Sequence, residues 1–316
     1  MPPKSVKRFS DKGMRKENDT MHRRTFFKWL GGLVLSGAAV TAYGFGIEPR
    51  FLLRVQRYEL TPQGWPPDFK LRIAALADIH MGEPYMGLAH LERIVETTNA
   101  LAPDLILLLG DYAAGHRWVT RKIAIKDTAA LLTQLKAPLG THCILGNHDW
   151  WDDREAQKRR AGPNLNGVAL EAAGFPVYEN DGVRLEHKGK GFWLMGLGDQ
   201  IAFIEGRNRF AGLDDLDATL AKVTDDAPVI LMIHEPDAFT KVPSRVSLTL
   251  AGHTHGGQVR LLGYSPVVPS AYGNRFAYGH VIEQDRHLIV SGGLGCSIVP
   301  VRFGVPPEIN LIELGA

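Results

Sequence analysis

The sequence Gly252-His-Thr-His-Gly-Gly-Gln258 follows directly on an apolar run at residues 248–251, and it decides how the rest of the chain is interpreted. Glycines on both sides of the two histidines let the backbone bend freely. The imidazoles of His253 and His255 can then each reach a different metal ion, and neutral imidazole is a good ligand for zinc, iron, nickel and copper. The alternative is a polar turn with two solvated histidines, and a single His-x-His pair does not decide between them.

Four further blocks of polar residues also come directly after short apolar runs. In chain order, the five blocks are Asp78-Ile-His80, Gly110-Asp111, Gly146-Asn-His-Asp149, His234-Glu235 and Gly252-His-Thr-His255. Open α/β sheets place their sites at the carboxyl ends of their strands, so we expect these side chains to meet. The set offers oxygen and nitrogen atoms but no thiolate, which excludes a structural zinc finger. Taken alone, Asn147 could be a turn residue and His234 a core histidine; the set as a whole favours metal ligands.

The apolar runs alternate with helical patterns along the chain. Strands are predicted at residues 51–58, 71–77, 105–109, 142–145, 229–233, 247–251, 287–291 and 309–314, helices at 88–101, 123–135, 167–173 and 213–223, and a hairpin at 183–195. This alternation predicts an α/β fold. We find no second boundary after the first strand, so residues 49–316 are predicted to form one domain and residues 1–48 a basic tail with an apolar leader.

The N-terminal tail differs in charge from the rest of the chain. Residues 1–28 contain nine lysines and arginines and three acidic residues, a net charge of +6, which leaves −4 for the remainder of a chain whose total is +2. A basic tail on a mildly acidic body argues against a nucleic-acid-binding domain, which would carry its basic residues on the fold. Residues 1–20 have no periodic apolar pattern and are predicted to be disordered.

A pattern that resembles an export signal follows this charged segment. Arg23-Arg-Thr-Phe-Phe-Lys28 precedes a Gly/Ala-rich apolar stretch at residues 29–47, and the two together resemble a twin-arginine signal. A plain membrane anchor with basic residues on its cytoplasmic side is the alternative. We expect the domain to be exported, either to the periplasm or to the outer face of the cytoplasmic membrane. The expected partners are the twin-arginine export machinery and the membrane surface.

The five blocks, in this order, resemble the calcineurin-like metallophosphoesterase family, from about residue 71 to the C-terminus. The export signal, Gly146-Asn-His-Asp-Trp150 and Gly252-His-Thr-His-Gly-Gly-Gln258 are similar to a membrane-associated bacterial branch that includes relatives of UDP-2,3-diacylglucosamine hydrolases. The resemblance implies an α/β fold of the four-layer αββα type, in which two mixed sheets pack together and are flanked by helices.

The resemblance also implies two divalent metal ions, which could be manganese, iron, zinc or magnesium. By position, the first ion would be held by Asp78, His80, Asp111 and His255, and the second by Asp111, Asn147, His234 and His253. Asp111 would therefore bridge the two ions. His148 matches the family's catalytic histidine and would lie beside the substrate rather than on a metal. Many members carry a further acidic residue shortly after the second block, whereas Asp111 is followed here by Tyr-Ala-Ala-Gly-His116, which leaves the outer support of the bridging aspartate unidentified.

The expected chemistry follows from these residue types. A water between two divalent cations loses a proton near neutral pH, and the resulting hydroxide can attack a phosphate whose oxygens the metals hold. His148 could donate a proton to the leaving oxygen. Asp149, the next residue, could orient the ring of His148 or could cap the turn.

The sequence thus predicts a dimetal phosphohydrolase that cleaves a phosphoester or pyrophosphate bond. Its substrate would be a phosphate-containing small molecule or a lipid-linked compound of the membrane or envelope. Two alternatives are a non-catalytic scaffold that keeps the fold and a nuclease-type phosphodiesterase. The complete ligand set argues against the scaffold, and the acidic body argues against the nuclease.

Overall fold

The computed structural model describes residues 12–315, and its first element is a long helix. Helix α1 (Lys12–Ala42) continues through a π-helical turn at Tyr43–Ile47 into α2 (Glu48–Phe51). The prediction of disorder for residues 1–20 is therefore wrong for residues 12–20, which extend α1; residues 1–11 lie outside the described part. Residues 14–17, Met-Arg-Lys-Glu, are good helix formers, and adding a turn to an existing helix costs far less than nucleating one.

After this helix the chain folds into two mixed sheets with helices between the strands. Within residues 12–315 the strands are β1 (Arg54–Leu60), β2 (Leu71–Leu76), β3 (Gly82–Glu83), β4 (Leu105–Leu109), β5 (Arg121–Lys122), β6 (Thr141–Ile144), β7 (Asp181–His187), β8 (Lys190–Gly196), β9 (Phe203–Gly206), β10 (Arg209–Ala211), β11 (Val229–Met232), β12 (Leu248–Ala251), β13 (Gly279–Glu283), β14 (Arg286–Val290) and β15 (Glu308–Leu314). The remaining helices are α3 (Leu88–Ala100), α4 (Ile125–Leu132), α5 (Asn147–Trp151), α6 (Arg154–Arg159), α7 (Leu165–Ala172) and α8 (Leu216–Ala221).

The first sheet has the strand order β1-β15-β2-β4-β6, and the second has the order β13-β14-β12-β11-β8-β7. In the first sheet only the β15–β2 pair is antiparallel, and in the second only the outermost pairs, β13–β14 and β7–β8, are antiparallel. The predicted α/β fold with two mixed sheets is confirmed. The parallel strands β2, β4 and β6 all end at one edge of the first sheet, and β11 and β12 end at the matching edge of the second.

Alternating side chains of the strands build separate layers of the core. In β2, Ile73 and Ala75 lie in the cluster shared by the two sheets, whereas Ala74 and Leu76 face the helices. Leu91 of α3 and Leu132 of α4 belong to this helical side. Such strands are buried on both faces and therefore appear in the sequence as continuous apolar runs. The outer face of the second sheet is covered by α8 and by a 3₁₀ turn at Pro236–Lys241, which completes the four layers.

Several predicted boundaries differ from the structure for local reasons. The first strand begins at Arg54 rather than Phe51, because residues 48–51 end the N-terminal helix. The hairpin predicted at residues 183–195 is the β7–β8 pair. The hairpin β9–β10, the edge strand β13 and the short helix α6 were not predicted, since their mostly exposed or half-exposed residues give no apolar run, and α5 was not predicted because it has only five residues.

Candidate metal centre

The two sheets bring their carboxyl-terminal edges together, and the predicted blocks meet there. The backbone N–H of Asp78 donates to the carbonyl of Gly110 (3.0 Å), and that of Gly252 donates to the carbonyl of His234 (3.1 Å). Between the sheets, the backbone N–H of His253 donates to the carboxylate of Asp78 at 2.9 and 3.1 Å. Strand pairing thus fixes the positions of the blocks relative to one another.

Asp111 lies at the centre of the site. Its Oδ2 is 3.4 Å from His80 Nε2 and 3.3 Å from His234 Nε2. Asp78, Asp111 and His234 form a central group of buried side chains whose ligand atoms lie within 4.8 Å of one another. This arrangement places Asp111 between the two predicted ligand sets.

Two further groups flank the central group. In the first group, formed by Asp78, His80 and His255, the Nε2 atoms of the two histidines are 3.1 Å apart. In the second group, formed by His234, Glu235 and His253, Nδ1 of His253 is 2.9 Å from Oδ1 of Asn147.

All seven residues predicted as ligands are thus brought together. They are Asp78, His80, Asp111, Asn147, His234, His253 and His255. Glu235 joins the second group although the sequence analysis gave it no role.

The backbone at the ligand positions is unusual. The φ angles of Asp78, His80, Asp111, His253 and His255 are 53°, 47°, 59°, 69° and 51°. This left-handed region costs a residue with a side chain about 1–2 kcal/mol. Because the chain curls sharply at each of these positions, several side chains from separate strands can point into one small volume. Strain of this kind persists only where the surrounding structure enforces it, and it clusters at functional sites.

Two glycines of the blocks leave room for the ligands. A Cβ atom at Gly146 would lie 2.5 Å from Oδ1 of Asp111 and 2.5 Å from Cε1 of His234. A Cβ atom at Gly252 would lie 2.7 Å from Oδ2 of Asp78. These glycines are therefore required for close approach, and any side chain at either position would displace a candidate ligand.

The electrostatics of the buried groups suit a cation. Burial raises the pKa of Asp78 to about 7 and lowers the pKa of His80 to about 3. Burial also lowers the pKa of His234, but the carboxylate of Asp111 outweighs that effect and raises it well above the usual value. A divalent cation favours an ionised Asp78 and a neutral His234, the states that these two shifts oppose, whereas the lowered pKa of His80 already keeps that ring neutral and able to bind a metal.

Hydrogen bonds also leave free ring nitrogens directed at the centre. Nδ1 of His234 is 2.7 Å from the carbonyl of Leu109, and Nδ1 of His80 is 3.2 Å from the carbonyl of Ala113. A ring that donates from Nδ1 to a carbonyl keeps a lone pair on Nε2 for a metal. Nε2 of His234 is buried and, apart from its 3.3 Å approach to Oδ2 of Asp111, has no hydrogen-bond partner among residues 12–315. The residues therefore fit divalent metal ions.

The support of Asp111 comes from Asp149. The carboxylate of Asp149 accepts the backbone N–H groups of Asp111 (2.8 Å), Tyr112 (3.0 Å) and Gly146 (2.9 Å) and the side-chain amide of Asn166 (2.7 Å). Of the two roles left open by the sequence, Asp149 therefore caps the turn. Asp149 is thus the acidic residue that supports the loop of Asp111 in this chain.

We expect Asp149→Asn to destabilise the protein and weaken the metal centre. An asparagine oxygen can accept at most two of these four hydrogen bonds, and each buried donor left without an acceptor costs about 1–3 kcal/mol. The free energy of unfolding should therefore fall by about 2–6 kcal/mol in denaturant titrations. Glu155→Gln, on the exposed side of α6, is the control. A loss no larger than that of the control would contradict the role given to Asp149.

His148 lies at the mouth of the site and outside the three ligand groups. Its ring is 5.0 Å from the ring of His80 and 5.2 Å from that of Trp151. Its backbone N–H donates to Oδ1 of Asp111 (2.8 Å), and its Nε2 lies 3.2 Å from Oγ of Ser297. Trp151 thus forms a wall of the mouth, whereas Trp150 is buried in the core. Ser297 was not predicted, since nothing near it in the sequence marks it.

Arg302 is a second residue that sequence reasoning missed. Its guanidinium is fully buried and donates to the carbonyls of Gly292 (2.8 Å) and Val305 (2.9 Å). One of its nitrogens lies 3.3 Å from Nδ1 of His255, behind the first group. Arg302 therefore joins the metal centre to the loop at residues 292–305.

A sequence profile of the calcineurin-like phosphoesterases matches residues 71–257, more than half of the chain. The chain belongs to this family. The matched segment contains every predicted ligand and His148. Membership of the family, together with the buried Asp and His groups, makes the protein a metal-dependent phosphoesterase.

Individual relatives of the family agree with this assignment. The metallophosphoesterase YkuE of Bacillus subtilis is 31% identical over 306 residues, which cover 93% of this chain and 98% of the relative. Phosphodiesterase YaeI of Escherichia coli is 27% identical, with coverage of 77% and 82%. A bovine protein named transmembrane protein with metallophosphoesterase domain is 28% identical, with coverage of 79% of this chain and 54% of that protein.

Proposed function

We propose that the protein is a dimetal phosphohydrolase that cleaves a phosphoester or pyrophosphate bond of a membrane or envelope compound. The observation that carries the proposal is that Oδ2 of Asp111 lies 3.4 Å from Nε2 of His80 and 3.3 Å from Nε2 of His234, at a centre where the three ligand groups overlap. Asp78 belongs to the first and central groups, and His234 to the central and second groups. Such an overlap is the arrangement that two neighbouring cations with a common carboxylate require.

The proposed ligands divide as the family resemblance implies. Asp78, His80, Asp111 and His255 would hold one ion, and Asp111, Asn147, His234 and His253 the other. Divalent cations bound there would lower the pKa of a water molecule and bind phosphate oxygens. The carboxylates of Asp78 and Asp111 do not neutralise the charge of two divalent cations. The loaded site would therefore keep a net positive charge and attract a phosphate group.

His148 is proposed as the general acid. It lies at the mouth, where a leaving oxygen would emerge, and it is not needed as a ligand. The hydrogen bond from its backbone N–H to Asp111 and the contact of its ring with Ser297 hold it in place. From this position its ring can give a proton to the leaving oxygen.

The substrate class is proposed from the N-terminal segment and from the relatives. The segment at His22–Phe51 is helical and is long and apolar enough to cross a membrane, and its residues 22–42 are exposed. The name of the relative YaeI, phosphodiesterase, favours a diester or a related phosphate linkage. A lipid-linked phosphate, of the kind cleaved by UDP-2,3-diacylglucosamine hydrolase-like enzymes, meets both conditions.

Hydrolysis assays on the full chain test this proposal. Metal-depleted and manganese-reloaded protein would be compared on lipid-linked, nucleotide and simple aryl phosphates. We expect phosphate-ester cleavage only after reloading and the highest kcat/KM on a lipid-linked compound. A reloaded protein that cleaves none of them would favour the scaffold alternative, and preference for a nucleic acid would favour the nuclease.

Export is proposed to use the twin-arginine pathway. Arg23→Lys combined with Arg24→Lys keeps the positive charge but removes the arginine pair, so it separates this signal from a generic basic flank. We expect the double variant to remain in the cytoplasm on cell fractionation. Arg15→Lys is the control, since it lies in the same tail outside the motif. Normal export of the double variant would point to an ordinary anchor.

A further inference from the structure

Exposed apolar side chains cluster in two loops beside the metal centre. Leu261, Leu262 and Tyr264 form a tight turn in which Leu261 pairs with Tyr264 through backbone hydrogen bonds of 2.9 Å. Leu262, at the tip, is fully exposed, and Val267 and Ile298 are each about three-quarters exposed (75%). We call these five residues the apolar patch. Their exposure to water is unfavourable, and groups of such side chains mark contact surfaces.

The apolar patch is continuous with the base of the N-terminal helix. The backbone N–H of Arg260 donates to the carbonyl of Phe303 (2.8 Å), and that of Arg302 donates to the carbonyl of Gly44 (2.9 Å). The rings of Tyr43 and Phe303 are 5.8 Å apart. The segment at residues 302–303 therefore contacts both the helix and the chain that leads into the turn of Leu262.

The helix is also fixed firmly to the domain. The buried carboxylate of Glu48 accepts the backbone N–H groups of Gly304 (3.0 Å) and Val305 (2.8 Å). Only residues 52 and 53 separate the helix from β1. The end of the helix that leads into the domain is thus held in place, which fixes the domain surface around it relative to that end.

The length of the apolar segment indicates where the domain surface beside the helix would lie relative to a bilayer. Residues 29–47 number 19 and span about 28 Å as a helix, close to the hydrocarbon thickness of about 30 Å. With residues 29–47 across a bilayer, one end of the hydrocarbon would fall at the π-helical turn, where the helix contacts the loop at residues 299–305. The apolar patch borders that same loop, and Tyr264 is of the type enriched at membrane interfaces.

The apolar patch is also joined to the mouth of the site. The side-chain amide of Gln258, three residues after the fifth block, donates to the carbonyls of Val299 (2.7 Å) and Val301 (2.9 Å). Its oxygen accepts the backbone N–H of Ser297 (2.9 Å), whose hydroxyl contacts His148. One glutamine therefore positions both the exposed Ile298 and the residue beside His148.

We propose that the apolar patch enters the interface of the bilayer that the helix crosses, and that it holds the mouth of the site against the membrane surface. The phosphate of a lipid would then reach His148 without leaving the interface, while its acyl chains stay among the other lipids. The lipid class of the substrate rests on the proposed function; the membrane contact of the apolar patch does not.

Fluorescent labelling tests the membrane contact. The native Cys143 and Cys296 are buried, so Leu262→Cys and Leu165→Cys each offer one accessible thiol for an environment-sensitive dye. Leu165 is equally apolar and well exposed but lies at the start of α7, which packs against the first sheet. The full chain is reconstituted in phosphatidylethanolamine–phosphatidylglycerol vesicles that contain a nitroxide-labelled lipid.

We expect the dye at position 262 to lose most of its fluorescence to the nitroxide lipid and to be shielded from aqueous iodide. The dye at position 165 should show the reverse. Equal quenching at the two positions, or shielding of position 262 by a second protein copy in lipid-free detergent, would overturn the proposal.

A matched activity measurement tests delivery of the lipid. Leu261→Glu combined with Leu262→Glu should lower hydrolysis of a vesicle-embedded phosphoester several-fold and leave hydrolysis of a soluble nitrophenyl phosphate unchanged. Equal rates on vesicles for the double variant and the wild type would overturn delivery through the apolar patch. If the wild type hydrolyses neither compound, the proposed function fails, and the quenching result still decides the membrane contact.

Discussion

Asp111→Ala is expected to remove both metal ions and to reduce phosphoester hydrolysis to the level of metal-depleted protein. The carboxylate of Asp111 lies within 3.4 Å of ring nitrogens from both sides of the centre, so its removal would take one ligand from each of the two proposed ions. Loss of a residue that only orients a ligand already costs about 10–100-fold in metal affinity. Loss of a shared ligand should therefore exceed that range at both positions.

Elemental analysis of purified protein measures this effect. Asp127→Ala, on the exposed surface of α4, is the control and should keep the metal content of the wild type. His255→Ala should mainly weaken the ion of the first group, because this ring touches only that side of the centre. Full occupancy in Asp111→Ala would show that the carboxylate is not shared between two ions.

His148→Ala is expected to separate two kinds of substrate. A general acid matters most when the leaving oxygen is basic, so hydrolysis of alkyl phosphoesters should fall on the order of 10²–10⁴-fold. A nitrophenolate leaves readily without a proton, so hydrolysis of nitrophenyl esters should fall much less. Metal content should stay unchanged, because His148 lies outside the three ligand groups.

Steady-state kinetics on a matched pair of alkyl and nitrophenyl esters measures this difference. His280→Ala, on the exposed edge strand β13, is the control and should change neither rate. An equal loss on both esters would indicate that His148 stabilises charge in the transition state instead. Loss of metal would show that His148 is itself a ligand.

The sequence predicted the location of the metal centre because each candidate ligand follows an apolar strand. Parallel strands end at one edge of a sheet, so the order of the blocks was enough to bring Asp78 and Asp111 together, and the packing of the second sheet against the first adds His234. The glycines of the blocks were visible as well. Their role at Gly146 and Gly252 became clear only when the distance from each to a neighbouring ligand was known.

The support of the centre could not be predicted, because it depends on contacts between distant segments. Asp149 caps the loop of Asp111 across 38 positions of sequence, and Arg302 reaches His255 across 47. The left-handed backbone of the ligands is likewise enforced from outside, since Asp and His residues do not require it. Ser297 lies in a loop without periodic pattern, and only the hydrogen bonds of Gln258 bring it to His148.

The N-terminal helix could also be predicted only in part from the sequence. Its apolar part was evident from composition, and its extension to residue 12 was not, because charged residues alone are compatible with either a helix or a coil. The fixation of the helix to the domain depends on Glu48, which sequence alone would assign to the surface.

Titration of metal-depleted wild-type protein with manganese tests the central claim most directly. Bound metal and hydrolysis of a nitrophenyl phosphate would be measured on the same samples. The shared position of Asp111 predicts binding of two ions per chain and activity that rises only as the second ion binds. Full activity with one bound ion, or activity that survives complete removal of metal, would contradict a dimetal phosphoesterase centre.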